Sequence, residues 1–384
     1  MTESGAPEGG TGYRLAPLDG LRAVAVTMVG LSHLLGRGAS WVQGGWVGVT
    51  IFFVLSGFLI TTILVDEERA RATISLRRFY IRRALRLGPA LFTMLVVWSA
   101  VMLVAHREPW FSDIPAGFGP APTVAQNLRS AGLVLAYVWN WFLAFHGIQR
   151  SGLSQLWSLS VEEQFYLCWP LLLLSLLRWK ARTRRAVVLA LCGGSAVLPL
   201  FLWRGGSGAP LIYFGTATEA LCLLSGAFCA FALASPRGAA RPSVELGRAT
   251  TLGAAAALLL IFLRVGYPTP SSYFLALPSA SVAAAIVVAG VVVHPGSLLG
   301  TVLSRRVVVW LGRRSYAVYM WSFLWTTWLG ELPLLARVPA VIAATLLTAE
   351  LSWRLVEAPA LRVARRFGHG RSVPLVAGKQ PEPA

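Results

Sequence analysis

A histidine suited to lifting a proton from a hydroxyl and a pair of arginines spaced to grip a phosphate are the two chemical signals in this 384-residue chain. His33 follows Arg22 by eleven positions inside one apolar stretch, Leu18 to Leu35. At 3.6 residues per turn the two return to within ~20° of one helical face, roughly 16 Å apart along the axis. An imidazole with an unperturbed pKa near ~6.5, kept neutral, is a good general base at neutral pH. The plainer reading makes His33 a hydrogen-bonding strut and lets Arg22 snorkel to the headgroups.

Arg83 and Arg86 stand three apart in the run Arg77 to Pro89 and share a helical face. Two guanidinium forks held together suit a phosphate or pyrophosphate, although a simple stop-transfer cluster needs only the charge. Ser160 and Glu163, in Trp157 to Tyr166, have the spacing of a helix capping box. Glu357, three residues after Arg354, is placed for an ion pair at a helix end.

The elements that must carry these groups are membrane helices. The chain is 56% hydrophobic and only 13% charged, where a soluble domain is roughly a quarter charged. Leu18 to Leu35, Trp46 to Val65, Leu87 to Ala105, Trp157 to Leu177 and Val307 to Leu329 are continuously apolar. Each is long enough to cross ~30 Å of hydrocarbon and lacks the alternation of a barrel strand. The expected fold class is therefore all-α: a polytopic integral membrane protein of about ten transmembrane helices plus one re-entrant or interfacial helix.

A formal charge of +18 does not indicate nucleic acid as a partner, because the arginines fall in short loops between spans and report orientation. The loop Glu67 to Arg86 is the most basic and is assigned to the cytoplasm, which puts the N-terminus there too. If Asn127 to Phe145 were a full crossing, every later basic cluster would face outward. Treating it as a re-entrant or outer-surface helix returns Arg178 to Arg185, Arg237 to Arg248, Arg305 to Arg314 and Arg362 to Arg371 to the cytoplasm. Trp139 and Trp141 suit such a helix, since indole favours the headgroup level.

The division expected is a cytoplasmic tail at 1–16, a membrane domain at 17–361, and a basic then Pro-rich cytoplasmic tail at 362–384. No cleaved signal peptide is expected, because a basic n-region and a small-residue cleavage pattern are missing. Cys168, Cys192, Cys222 and Cys229 lie in apolar segments without paired spacing, so they read as small hydrophobes and imply neither disulfide nor metal.

Taken in order, the motifs resemble the membrane acyltransferase-3 family of bacterial O-acyltransferases, from Leu18 to about Arg362. The match rests on Leu18-Asp19-Gly20-Leu21-Arg22-Ala23 with its spacing to His33, on Gly48 to Ile60, and on Phe79-Tyr80-Ile81-Arg82-Arg83-Ala84-Leu85-Arg86. It continues in Trp157 to Tyr166, Ser315 to Trp321, and Glu357-Ala358-Pro359. The resemblance implies transfer of an acyl group, commonly acetyl, from acyl-coenzyme A (acyl-CoA, most simply acetyl-CoA) to a hydroxyl of a sugar, glycan, lipid-linked precursor or glycosylated metabolite.

It further implies His33 as the catalytic histidine with Arg22 as its motif partner. Arg83 and Arg86, with Arg82 beside them, would hold the donor phosphates, and Glu357 would orient or polarise the histidine. Membrane lipid is the surrounding partner, and the cell membrane the location, with both termini cytoplasmic. Three positions depart from the family pattern: Thr50 where Asp is usual, Glu219 where Arg is usual, and Ser322 where His is usual. These departures imply a changed acceptor pocket or reduced catalytic competence, and the intact donor residues favour the changed pocket. Two rivals stay open: a polytopic transporter or flippase, which acidic residues spread along several spans would favour, and a non-catalytic scaffold, which Ser322 would favour.

Overall fold

The apolar stretches are helices in the computed structural model, which describes residues 15–35, 42, 44–105, 123–147, 152–234, 247–266, 269–330 and 332–367. Among these residues there is no strand. The tails at 1–14 and 368–384, most of the basic loop at Arg237 to Arg248, and much of the stretches 36–45 and 106–126 lie outside them.

In chain order the helices are α1 Ala16–Leu35, α2 Gly45–Arg71, α3 Leu76–Ala105, α4 Val124–Leu135, α5 Trp139–His146, α6 Trp157–Leu176, α7 Ala181–Leu202, α8 Ala209–Phe214 and α9 Thr216–Leu233. There follow α10 Arg248–Arg264, α11 Leu277–Val293, α12 Leu298–Leu303, α13 Arg306–Arg313, α14 Ser315–Trp328, α15 Leu334–Ser352 and α16 Ala358–Arg365.

Among the described residues seven stretches are long and apolar enough to cross a bilayer: α1, α2, α3, α7, Ala209–Leu233, Ser272–Val293 and Leu334–Arg365. The expected count of about ten is not reached on that measure, for a physical reason in each remaining case. Helix α6 has 20 residues but carries Glu162, Glu163 and Gln164 in its first half, while α10 has 17 residues and α14 only 14.

The segment Asn127 to Phe145 is two short helices broken at Tyr137, whose φ of 54° lies in the left-handed region. Its tryptophans hydrogen-bond inside the protein. Trp139 is fully buried and donates from Nε1 to the Leu153 carbonyl at 3.0 Å, and Trp141 donates to Gln164 Oε1 at 3.2 Å. Buried Asn140 adds bonds to the Phe214 carbonyl at 2.9 Å and Thr216 Oγ1 at 3.0 Å. Trp139 is therefore part of the core, its polar atom satisfied internally, while Trp141 is half-buried.

Helix α2 is the core strut. It packs against α1, α6, α9 and α11, and its approach to α9 brings the backbones into contact. A Cβ on Gly57 would stand 1.8 Å from the Leu223 carbonyl oxygen, and one on Gly226 would stand 2.0 Å from that of Val54. Small residues at such crossings let membrane helices gain dispersion energy along their backbones. At the end of α9, Arg185 caps the helix by donating from Nε and Nη2 to the Phe231 carbonyl at 3.1 and 2.9 Å.

Two prolines shape the helices near the site. Pro359 has no N–H to give the Leu355 carbonyl, and the backbone opens into a π turn at Trp353–Glu357 just before it. Pro278 follows a second π turn, Ser272–Ala276, in the same way. Helix α3 packs against the first π turn and α16, which places Glu357 on the same cavity wall as Arg86.

Candidate active site

Helices α1, α2, α3, α6 and α14 and the Trp353–Glu357 turn enclose a cavity of about 220 Å³, lined among others by Arg22, Arg83, Arg86, Glu162, Tyr316 and Glu357. A second cavity, of about 120 Å³, is lined by Ser32, His33, Gln155, Trp157, Tyr213 and Tyr319 with their neighbours. Val49 and Tyr319 line both, so the cavities adjoin across these two side chains. The spacing of Arg22 and His33 on one helix thus becomes a spatial division: Arg22 serves the first chamber and His33 the second.

The first chamber is rich in arginine, but its arginines are not equivalent. Arg22 donates to Asp19 Oδ1 at 3.2 Å, one turn away, and Arg313 reaches Asp19 Oδ2 at 3.5 Å. Arg83 is held between Glu162 at 3.8 Å and Glu163 at 3.6 Å, with its guanidinium 3.5 Å from the centroid of the Tyr166 ring. Ser56 donates to Glu162 at 2.7 Å, fixing that carboxylate. Arg86 is exposed to the chamber and makes no hydrogen bond or ion pair among the described residues. It is the guanidinium free to meet an anion.

Arg82 does not line the chamber. It turns to Glu67 Oε2 at 3.8 Å and donates to the Phe367 carbonyl at 3.1 Å, because one position along the helix rotates it about 100° from Arg83. Ser160 and Glu163 do not form a capping box. Helix α6 begins at Trp157, so both lie inside it, and Glu163 is committed to Arg83.

Glu357 does not touch His33. It accepts from Ser352 Oγ at 3.2 Å and faces the first chamber, at the Arg22 end of α1. Arg354, expected as its partner, pairs instead with Glu350 at 2.5 Å, which also binds Arg314. His33 meets Phe323 edge to face at 4.9 Å between ring centroids, and its Nδ1 is buried without a hydrogen-bond partner. A ring nitrogen held this way is available to a proton from a bound molecule.

Two of the three departures from the family pattern are neighbours in space. Thr50 and Glu219 line one small cavity of about 10 Å³ with Tyr213 and Tyr273, and Val49 joins it to the other two. Thr50 donates to the Trp46 carbonyl at 3.2 Å, and buried Glu219 has the Cys222 thiol at 4.0 Å. Ser322 donates to the Tyr319 carbonyl at 3.3 Å, within its own helix. Cys192, Cys222 and Cys229 are buried thiols, whereas Cys168 is exposed.

Sequence reasoning missed Tyr319 and Gln155. Tyr319 donates to the Gln155 carbonyl at 2.5 Å and meets Ser158 Oγ at 2.7 Å, which pins the wall between the chambers. Its place in Ser315 to Trp321 was visible, but its partners lie more than 150 positions away.

Among the described residues the chain is all-helical, and a histidine chamber adjoins an arginine chamber among helices long and apolar enough to cross a membrane. The model of the acyltransferase domain family matches residues 15–353, and the chain belongs to that acyltransferase-3 family. It is 35% identical over 362 residues to the peptidoglycan O-acetyltransferase OatA of Listeria monocytogenes, covering 89% of this chain and 55% of that protein. YrhL of Bacillus subtilis, provisionally named a peptidoglycan O-acetyltransferase, is 35% identical over 374 residues, covering 90% of this chain and 55% of its own. A provisionally named O-acetyltransferase of Staphylococcus aureus is 30% identical over 360 residues, at 89% and 56% coverage. The chain thus spans a little over half the length of these curated relatives. No solved structure matches it.

Proposed function

We propose that this protein is a membrane O-acetyltransferase that moves an acetyl group from acetyl-CoA to a hydroxyl of a cell-wall glycan, with peptidoglycan as the acceptor class. The observation that carries this reading is the shared wall: the chamber holding unpaired Arg86 adjoins the chamber holding His33 across Val49 and Tyr319. Coenzyme A is a pyrophosphate head on a thin arm that ends in the thioester. Its head matches the basic chamber and its arm the passage toward His33. The relatives' names supply the acceptor.

In this reading Arg86 binds the donor phosphates, Arg22 and Arg83 complete the positive wall, and Glu357 borders it. His33 accepts the acceptor's hydroxyl proton as the oxygen attacks the thioester carbonyl, and returns that proton to the departing thiolate. Arg82, bound to Glu67 and the Phe367 carbonyl, belongs to the basic surface beside the donor site. The basic end is cytoplasmic, as the arginine-rich loops require, and α6, α10 and α14 complete about ten spans in the cell membrane.

The test is incubation of the purified chain in vesicles with acetyl-CoA labelled in the acetyl group and isolated peptidoglycan glycan strands. Label on the strands as a base-labile ester supports the reading, and label remaining on coenzyme A contradicts it.

A further inference from the structure

Gln155 sits in a 3-10 turn, Ser154–Leu156, that leads into α6, and it lines the His33 chamber. Its backbone carbonyl is fixed by Tyr319 at 2.5 Å, and the residue is only 5% exposed. Both polar atoms of its carboxamide, Nε2 and Oε1, are buried with no hydrogen-bond partner. Buried polar groups of native proteins are almost always paired, and one left unmade destabilises the fold. The neighbouring His33 Nδ1 is likewise unpartnered. Three orphaned polar atoms therefore border one cavity of about 120 Å³.

We propose that Gln155 is a catalytic residue whose Nε2 donates to the carbonyl oxygen of the thioester as negative charge develops there. The proposal rests on the acetyl-transfer reading above. The acceptor oxygen forms a bond to the thioester carbon while its proton passes to His33. The carbonyl electron pair moves onto oxygen, where the amide of Gln155 holds it. That pair then re-forms the carbonyl, the carbon–sulfur bond breaks, and the thiolate takes the proton from His33, leaving an ester and a free thiol. Preorganised N–H donors aimed at such an oxygen are among the largest contributors to acyl transfer. The unused Oε1 accepts from a second hydroxyl of the sugar acceptor.

A structural role makes opposite predictions. An amide with no partner does nothing to hold the fold, so Gln155→Leu leaves the melting temperature of the purified protein unchanged or raises it. The same variant lowers kcat by about a hundredfold or more, the scale of one lost oxyanion donor, while the KM for acetyl-CoA and for glycan strands stays within about threefold. Gln155→Glu keeps the shape but loses the N–H and is equally impaired, whereas Gln155→His keeps an N–H and recovers at least a tenth of wild-type kcat.

A Gln155→Leu protein that misfolds, keeps its kcat, or changes only a KM overturns the proposal, as does a Glu variant as active as the His variant. Absence of transfer by the wild-type protein under the same conditions overturns the acetyl-transfer reading itself, which separates the two failures.

Discussion

Arg83 and Glu162 face each other at 3.8 Å in the wall of the arginine chamber, while Arg86, one turn further along α3, makes no salt bridge among the described residues. Two arginines that look alike in sequence therefore do different work. One is spent on holding α3 to α6, and the other is presented to the chamber.

Arg86→Ala removes a charge-assisted contact worth about 1.5–3 kcal/mol from donor binding. The KM for acetyl-CoA rises by roughly ten- to a hundredfold, with a smaller change in kcat. Steady-state kinetics at varied acetyl-CoA checks this, and an unchanged donor KM refutes the phosphate assignment.

Arg83→Ala acts first on stability. It leaves Glu162 and Glu163 without their cation in a half-buried site, a loss on the order of 3–5 kcal/mol when one partner of a buried pair is deleted. The protein purified in detergent melts at clearly lower temperature than wild type, whereas Arg86→Ala melts near wild type. Equal melting of the two variants would show that the carboxylates do not anchor Arg83.

Val49→Phe narrows the passage, because Val49 lines all three cavities. Overpacking costs about 1–3 kcal/mol, which the fold tolerates better than the reaction does. Acetyl-CoA binding by calorimetry is retained and acetyl transfer falls at least tenfold. Unimpaired transfer would place the route from donor to His33 elsewhere.

Gly57→Ala forces α2 and α9 apart, since its new Cβ would stand 1.8 Å from the Leu223 carbonyl oxygen. The yield of folded protein in membranes drops sharply. Gly253→Ala, with nothing within 4 Å of the added carbon, leaves yield unchanged. Comparison of the two by size-exclusion chromatography decides whether the crossing, and not glycine loss in general, is responsible.

The helical class, the common face of Arg22 and His33, and the arginine face of α3 were legible because each is a one-dimensional period along a single helix. What was not legible depends on partners from distant segments. Arg83 meets Glu162 and Glu163 only once α3 and α6 pack, and Trp139 becomes core only because Leu153 returns to bind it. Glu357 was expected beside His33, yet the π turn before Pro359 delivers it to the Arg22 end. The pairing of Thr50 with Glu219 in one cavity was hidden for the same reason, although each had been singled out alone. The expected count of about ten spans is not reached on length and apolarity alone, because apolar runs in sequence take no account of Glu162 and Glu163 within α6 or of the 14-residue length of α14.

In the proposed reaction, donor binding and acetyl transfer use adjoining chambers, one keyed by Arg86 and the other by His33. The most direct test measures both quantities on the same purified preparations of wild type, His33→Ala and Arg86→Ala: acetyl-CoA affinity by calorimetry, and acetyl transfer to glycan strands by mass spectrometry. His33→Ala is predicted to bind acetyl-CoA within about threefold of wild type and to transfer nothing detectable, while Arg86→Ala loses affinity and regains transfer as donor is raised. Transfer by His33→Ala at the wild-type rate would contradict the account.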